Sequence, residues 1–166
     1  KVLHKVCGKS LVEWALKASK EAGAERACVI VGHKADMVKE ALGDSAEFAL
    51  QTEQKGTGHA IMQAADFIEK NKGNVVILSG DAPLIKGETI KKAVEEHIKS
   101  GCAATVITAI FNNADGYGSI IRDDNGNVCK IVEHKDATDE EKLVKEINTG
   151  IIIILCMTFP NFLNTS

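Results

Sequence analysis

Aromatic residues and prolines are scarce in this chain. Phe, Trp and Tyr make up 4% of its 166 residues, and there are two prolines. So few rings leave few platforms on which the bases of a single-stranded nucleic acid could stack. Positive charge is not in surplus either. Twenty Lys and Arg stand against 23 Asp and Glu, a formal net charge of −3, whereas a nucleic-acid binder shows a basic excess or stripe. No apolar stretch approaches the ~20 residues of a transmembrane helix, and Ile151 to Leu155 falls far short. No signal peptide is visible. Nucleic acid and membrane are therefore not expected as partners. The five cysteines (Cys7, Cys28, Cys102, Cys129 and Cys156) are scattered and form no CxxC pair. They read as buried thiols in a reducing cytosol, which predicts a cytoplasmic protein, rather than as zinc ligands or a disulfide framework. Internal repeats, linkers and low-complexity tracts are also missing.

What is present is ordinary in bulk and specific in detail. A hydrophobic content of 45% with 26% charged residues describes a soluble globular chain, long enough to bury one core. The most informative stretch is Val75-Val-Ile-Leu-Ser-Gly-Asp-Ala-Pro-Leu-Ile85. An apolar run closed by turn residues predicts a strand buried on both faces, as in a parallel sheet covered by helices. Ligands of such sheets sit beyond the carboxyl ends of the strands. Asp81 stands at that end, with Gly80 allowing close approach. A carboxylate there suits a divalent cation carrying phosphates; the alternative is a capping or turn aspartate.

Upstream, Lys1 to Lys9 reads as a loop turning at Gly8. Ser10 and Glu13 form a capping box opening a helix through Leu11, Trp14, Ala15 and Ala18, which ends at Gly23. Ala27 to Val31 is a buried strand, Ala35 to Leu42 a helix and Glu47 to Gln51 a strand. A helix opens at Thr57 or Gly58 and runs through Ile61, Ala65 and Ile68. After the Val75 strand come a helix from about Glu88 to Ser100 and a strand from Ala103 to Ile110. Strands alternating with helices predict βαβ units and a doubly wound, mostly parallel sheet. The rhythm then changes. Ser119 to Asp123 and Val128 to Glu133 flank Asp124-Asn-Gly-Asn, a hairpin signal. Thr138 and Glu141 form a second capping box on a short charged helix, and Ile151 to Leu155 is another buried strand.

Three loops carry chemistry. Gln51-Thr-Glu-Gln-Lys-Gly-Thr-Gly-His59 joins a strand to a helix, where Gly56 and Gly58 permit tight approach and backbone N–H groups can meet a base edge or phosphate. The loop matches neither a Walker loop nor GxGxxG, and a plain turn is the alternative. Gln51 offers both donor and acceptors to the edge of a pyrimidine. His59 is a candidate base or a packing residue. Gly116-Tyr-Gly118 could let a sugar lie on the backbone, or form a bulge. Glu133 and Asn148 supply the carboxylate and amide that sugar hydroxyls and an N-acetyl group need, or serve as caps. Lys1 could present a point charge to phosphates, or be solvated.

In order and spacing, KVLHKVCGKSLVEW, LQTEQKGTGHA, LSGDAPL, DGYGSIIRD, IVEHKDATDEE and EINTGI resemble the uridylyltransferase (pyrophosphorylase) domain of the bacterial bifunctional UDP-N-acetylglucosamine pyrophosphorylase/glucosamine-1-phosphate N-acetyltransferases. The likeness runs from Lys1 to about Ile154, with EHKDAT and EINTG its most discriminating part. It implies a Rossmann-like nucleotidyltransferase fold with a β-hairpin insertion. It also implies formation of UDP-N-acetylglucosamine and pyrophosphate from UTP and N-acetylglucosamine 1-phosphate, a precursor step for peptidoglycan and lipopolysaccharide. By the same resemblance Asp81 coordinates Mg²⁺, Gln51, Gly56 and Thr57 contact uridine, Gly118, Glu133 and Asn148 contact the sugar, Lys1 binds phosphate, and Ser79 with Gly80 lines the site. Transfers of this kind rest on positioning and charge neutralisation rather than on a covalent nucleophile. No Ser/His/Asp or Cys/His constellation is seen here.

The family begins with a strand and a glycine-rich LAAGxGTRM-type loop, and this chain starts after them, at Lys1. The expectation is thus a partial pyrophosphorylase domain over residues 1–155, lacking its first strand and a later metal-binding asparagine, with an atypical tail over 156–166. Hexapeptide repeats do not follow, so acetyltransferase activity is not expected. Two alternatives remain at this point: a related sugar-1-phosphate nucleotidyltransferase, and a non-catalytic sugar-nucleotide-binding fragment, with self-association across sheet edges as a further possibility.

Overall fold

The computed structural model describes residues 1–156, and of Cys156 only the backbone. The chain opens on a short hairpin, β1 (Lys5–Val6) and β2 (Lys9–Ser10), where a loop was expected. Helix α1 (Leu11–Glu21) starts on the predicted capping box. The Ser10 amide donates to Glu13 Oε2 (2.6 Å), and the Glu13 amide donates back to Ser10 Oγ (3.4 Å). The two bonds satisfy otherwise orphaned N–H groups at the helix start. Val12, Ala15 and Ala18 are its buried residues. Leu11 and Trp14, expected on the buried face, are only half-buried; Trp14 turns its ring N–H outward to the Val6 carbonyl.

Strand β3 (Cys28–Val31), helix α2 (Ala35–Leu42) and strand β4 (Glu47–Leu50) form a right-sized βαβ unit, with β3 and β4 parallel. Val12, Val31, Val38 and Leu42 are its core, with Val2, Leu3, Leu16 and Phe48 packed around them. A continuous helix was expected next. Instead α3 (Thr57–Gln63) and α4 (Ala65–Lys70) meet at Ala64, whose N–H bonds to Ile61, three residues back. No Gly or Pro marks that break; Ala64 is buried, so packing sets it.

The larger sheet contains β5 (Gly73–Ile77), β6 (Ala104–Ile110), the hairpin β7 (Ser119–Arg122) and β8 (Val128–Val132), and β9 (Glu146–Cys156). Helix α5 (Gly87–Ser100) lies between β5 and β6 in sequence. β9 sits between β5 and β6 and is antiparallel to both. β5 and β6 therefore run in one direction without pairing. Among the described residues the one parallel ladder is β3–β4, and every ladder of the larger sheet is antiparallel. The sheet is mixed where a mostly parallel one was expected, because β9 is inserted between β5 and β6. The two sheets share no ladder among the described residues. That arrangement corrects one expectation. The Val75 strand is not buried on both faces: with β9 as its single ladder partner among the described residues, Gly73 and Asn74 are exposed and Val75 to Ile77 half-buried. The interior strand is β9, where Ile153 is 0% exposed and Ile147 and Ile151 are buried. The second capping box forms its bonds, Thr138 N–H to Glu141 Oε2 at 2.8 Å, but opens a 3-10 turn over Glu141–Leu143 rather than a longer helix. Of the expected tail, residues 157–166 lie outside the described residues.

Candidate active site

The connection leaving β5 turns sharply, and its residues bond to one another. Ser79 Oγ donates to Asp81 Oδ1 (2.6 Å), and Lys1 Nζ lies 2.6 Å from Asp81 Oδ2. Side-chain exposure is 78% for Lys1 and 32% for Asp81, so the pair faces solvent. Lys1, and then Ser79, hold the Asp81 carboxyl below its ordinary value, while the bond to Asp81 raises Lys1. Both groups are fully ionised at neutral pH. Asp81 is thus no helix cap: its oxygens point into a shared polar cluster. Gly80 packs beneath it, and a Cβ there would stand 3.5 Å from Val2 Cγ1 and 4.0 Å from Val12 Cγ2. Val12 belongs to the same core as Val31. The exits of β3 and β5 therefore meet across Val2 and Val12, as expected for a ligand site at the carboxyl ends of strands.

Gln51 follows directly after β4 at that side of the smaller sheet. Its Nε2 lies 3.2 Å from His59 Nδ1 and 3.4 Å from the Gly56 carbonyl oxygen. Gly56 has φ +97° and precedes α3, which Thr57 opens. That backbone favours glycine. The loop from 51 to 57 is folded back on itself, with the Gln51 amide nitrogen held inward. His59 supports Gln51 through its Nδ1.

The third group lies in one row across the larger sheet. Ser119 is opposite Val132 of β8 and Ile147 of β9. One residue on, Gly118 faces both Glu133 and Asn148. The Asn148 amide donates to the Gly118 carbonyl (2.8 Å), and a Cβ on Gly118 would come within 3.4 Å of Glu133 Oε1. β9 is bulged here: Ile107 pairs with Ile151 but Thr108 with Asn148, so Thr149 and Gly150 are looped between them. Gly150 takes φ +76° and donates its N–H to Asn148 Oδ1 (2.9 Å), which fixes the Asn148 amide and leaves its NH₂ outward. Bulges re-aim side chains in this way beside ligand sites. Because Ile77 pairs with Ile152, the bulge lies at the same end of the sheet as Asp81.

Every predicted site residue thus falls into one of three local groups: Lys1, Ser79, Gly80 and Asp81; Gln51, Gly56 and Thr57; Gly118, Glu133 and Asn148. Among the described residues, no three His, Cys, Asp or Glu side chains converge. A cation at Asp81 would have one carboxylate from the protein and the remainder of its shell from water or substrate oxygens, which fits a hard divalent ion. Sequence reasoning missed the bidentate contact of Arg122 with Glu146, which joins positions 24 residues apart and lies two residues from Asn148.

The nucleotidyl transferase family profile matches residues 1–151, more than nine-tenths of the chain. The chain belongs to the nucleotidyl transferase family. It is 52% identical over 154 residues to the bifunctional protein GlmU of Caldanaerobacter subterraneus subsp. tengcongensis, covering 93% of this chain and 34% of that protein. It is 50% identical over 151 residues to the GlmU of Clostridioides difficile, covering 91% and 33%. The chain spans about a third of the length of these curated relatives. The bifunctional family identified from the motif string is borne out. Among solved structures, apo UDP-glucose pyrophosphorylase superposes with a TM-score of 0.73 at 17% identity, covering 93% of this chain and 68% of that one. A UDP-glucose pyrophosphorylase complexed with UDP-glucose gives 0.72 at 18%, covering 93% and 67%. At such identity the likeness concerns the fold, and the nucleotidyltransferase α/β fold expected from the sequence stands. No helix among the described residues is long and apolar enough to cross a membrane.

Proposed function

We propose that this chain forms the uridylyl-transferring part of a UDP-N-acetylglucosamine pyrophosphorylase, joining UTP and N-acetylglucosamine 1-phosphate with release of pyrophosphate. The observation that carries the reading is the row Glu133–Gly118–Asn148, set at the same sheet end as the Asp81 turn. A carboxylate, a side-chain-free backbone and an oriented amide are suited to the hydroxyls and N-acetyl group of an aminosugar. Gln51, Gly56 and Thr57 form the rim for the uracil base. Asp81 would hold Mg²⁺, which when bound supplies charge neutralisation at the phosphate oxygens.

The protein's own task is placement. A phosphate oxygen of the sugar phosphate attacks the α-phosphorus, one P–O bond forms, and the bond to the bridging oxygen breaks so that pyrophosphate carries away the electron pair. Lys1, exposed to solvent, exchanges its bond to Asp81 for one to phosphate and so offsets the growing negative charge. Ser79 keeps the Asp81 carboxylate oriented through Oδ1.

The test measures pyrophosphate release by the full-length protein from UTP with N-acetylglucosamine 1-phosphate, against glucose 1-phosphate and other nucleoside triphosphates. UTP with the N-acetylated sugar is expected to give the highest kcat/KM. Asp81→Asn is expected to lower kcat/KM about a hundredfold or more, the scale of a lost electrostatic contact at the reacting phosphate. Preference for glucose 1-phosphate, binding without turnover, or an unimpaired Asp81→Asn enzyme would each overturn the reading.

A further inference from the structure

The hairpin that carries Gly118 and Glu133 is joined to the rest of the sheet by a thin seam. Between β7 and β9 the ladder has a single register pair, Ser119 with Ile147, extended by the Asn148 N–H bond to the Gly118 carbonyl. Beyond it lies a fork of charge-assisted bonds. Arg122 Nε donates to Glu146 Oε2 (2.8 Å) and Nη2 to Oε1 (2.7 Å), while Nη1 donates to the Gly126 carbonyl in the hairpin turn (2.8 Å). Glu146 starts β9, two residues before Asn148, and stands in register with Ile110 at the end of β6. Arg122 follows the β7–β8 bulge. One carboxylate therefore ties the bulged end of β7 to the start of β9.

Isolated surface ion pairs contribute little, but this one differs. The Glu146 side chain is 16% exposed, the contact is bidentate, and a planar fork fixes direction as well as distance. Two strands joined by one ladder pair can slide or pivot, and a one-residue slip would turn each side chain to the opposite face. We infer that Arg122 and Glu146 are a positioning pair that holds the β7–β8 hairpin in register with β9, so that Glu133, Gly118 and Asn148 stay in one row as the sugar-1-phosphate subsite. Neither residue touches the substrate; both act through Gly118 and Asn148. The inference rests on the function proposed above for that row.

Steady-state kinetics on full-length Arg122→Ala, Arg122→Lys and Glu146→Gln proteins tests it. Arg122→Ala and Glu146→Gln are expected to raise KM for N-acetylglucosamine 1-phosphate about tenfold while leaving KM for UTP within about twofold, the scale set by losing a charge-assisted pair that acts on one subsite. Arg122→Lys, which keeps the charge without the fork, is expected to fall between. Equal rises for both substrates would signal general loosening and overturn the inference, as would no change in either. Amide exchange supplies a readout that needs no turnover. The Asn148 N–H should exchange at least about tenfold faster in Arg122→Lys than in the unaltered protein, with the β9 core amides of Ile151 and Ile153 unchanged. Unaltered exchange at Asn148 would also overturn it. An unaltered enzyme that fails to use the sugar phosphate defeats the proposed function alone, because the exchange measurement still decides the register claim.

Discussion

Glu146 is where the chemistry of a single side chain has the widest reach. The Arg122 guanidinium, with the Thr108 hydroxyl, pulls its carboxyl from an ordinary value of 4.5 down to about 2. A carboxyl with a lowered value in the folded state stabilises the fold above its unfolded value and loses that contribution as pH falls through the folded one. The window is thus roughly pH 4.5 down to 2. Urea unfolding followed across that window should show stability dropping more steeply with acid in the unaltered protein than in Glu146→Gln, with the variant less stable at pH 7. Parallel slopes would mean the fork is not formed in solution. Asp81 is also lowered, by Lys1 first and Ser79 second, but its pair is open to water and contributes little to stability. The roles proposed for Asp81, Glu133 and Asn148 could be drawn from the sequence because each sits in a short motif with turn residues around it. Arg122 and Glu146 could not: 24 residues separate them, and opposite charges at that distance in sequence have innumerable other pairings.

Among the elements, the crossing of α1 and α5 is the tightest. A Cβ on Gly87 would stand 2.5 Å from Glu21 Cβ, 2.9 Å from the Ala18 carbonyl oxygen and 3.1 Å from the Ala22 nitrogen. Two of those three atoms are backbone and cannot rotate aside. Replacing helical Gly by Ala ordinarily stabilises by up to ~1 kcal/mol, whereas overpacking costs about 1–3 kcal/mol. Gly87→Ala should therefore lower the melting temperature measured by circular dichroism; a rise would show that the helices can part without cost. The helix itself was expected from about Glu88 to Ser100 and runs over Gly87–Ser100, and α2 runs over the residues expected of it. The break at Ala64 was not readable, since nothing local disfavours the α conformation there. Alternation of apolar residues also could not reveal that β9, and not the Val75 strand, is the interior strand.

For the whole molecule, the separation of the two sheets predicts uneven stability. β3 and β4 are joined by four register pairs and share no ladder with the larger sheet among the described residues. β9 is hydrogen-bonded on both sides and carries the most buried isoleucines. Hydrogen exchange should find the β4 amides of Phe48 and Ala49 opening at lower free energy than those of Ile152 and Ile153 in β9. Equal protection would indicate that the sheets open as one unit. The Gln51 loop follows the smaller sheet and the Glu133–Gly118–Asn148 row belongs to the larger one, so the same measurement compares the two proposed subsites.

Taken alone, the order of residues determined most local elements, the capping box at Ser10 and the hairpin at Asp124–Asn127, because each depends on neighbours a few positions away. Their meeting was decided only in three dimensions. Asp81 reaches Lys1, Gly118 reaches Glu133 and Asn148, and Arg122 reaches Glu146 through strand register and bulges, which follow from the packing of β9 between β5 and β6 and not from any spacing along the chain.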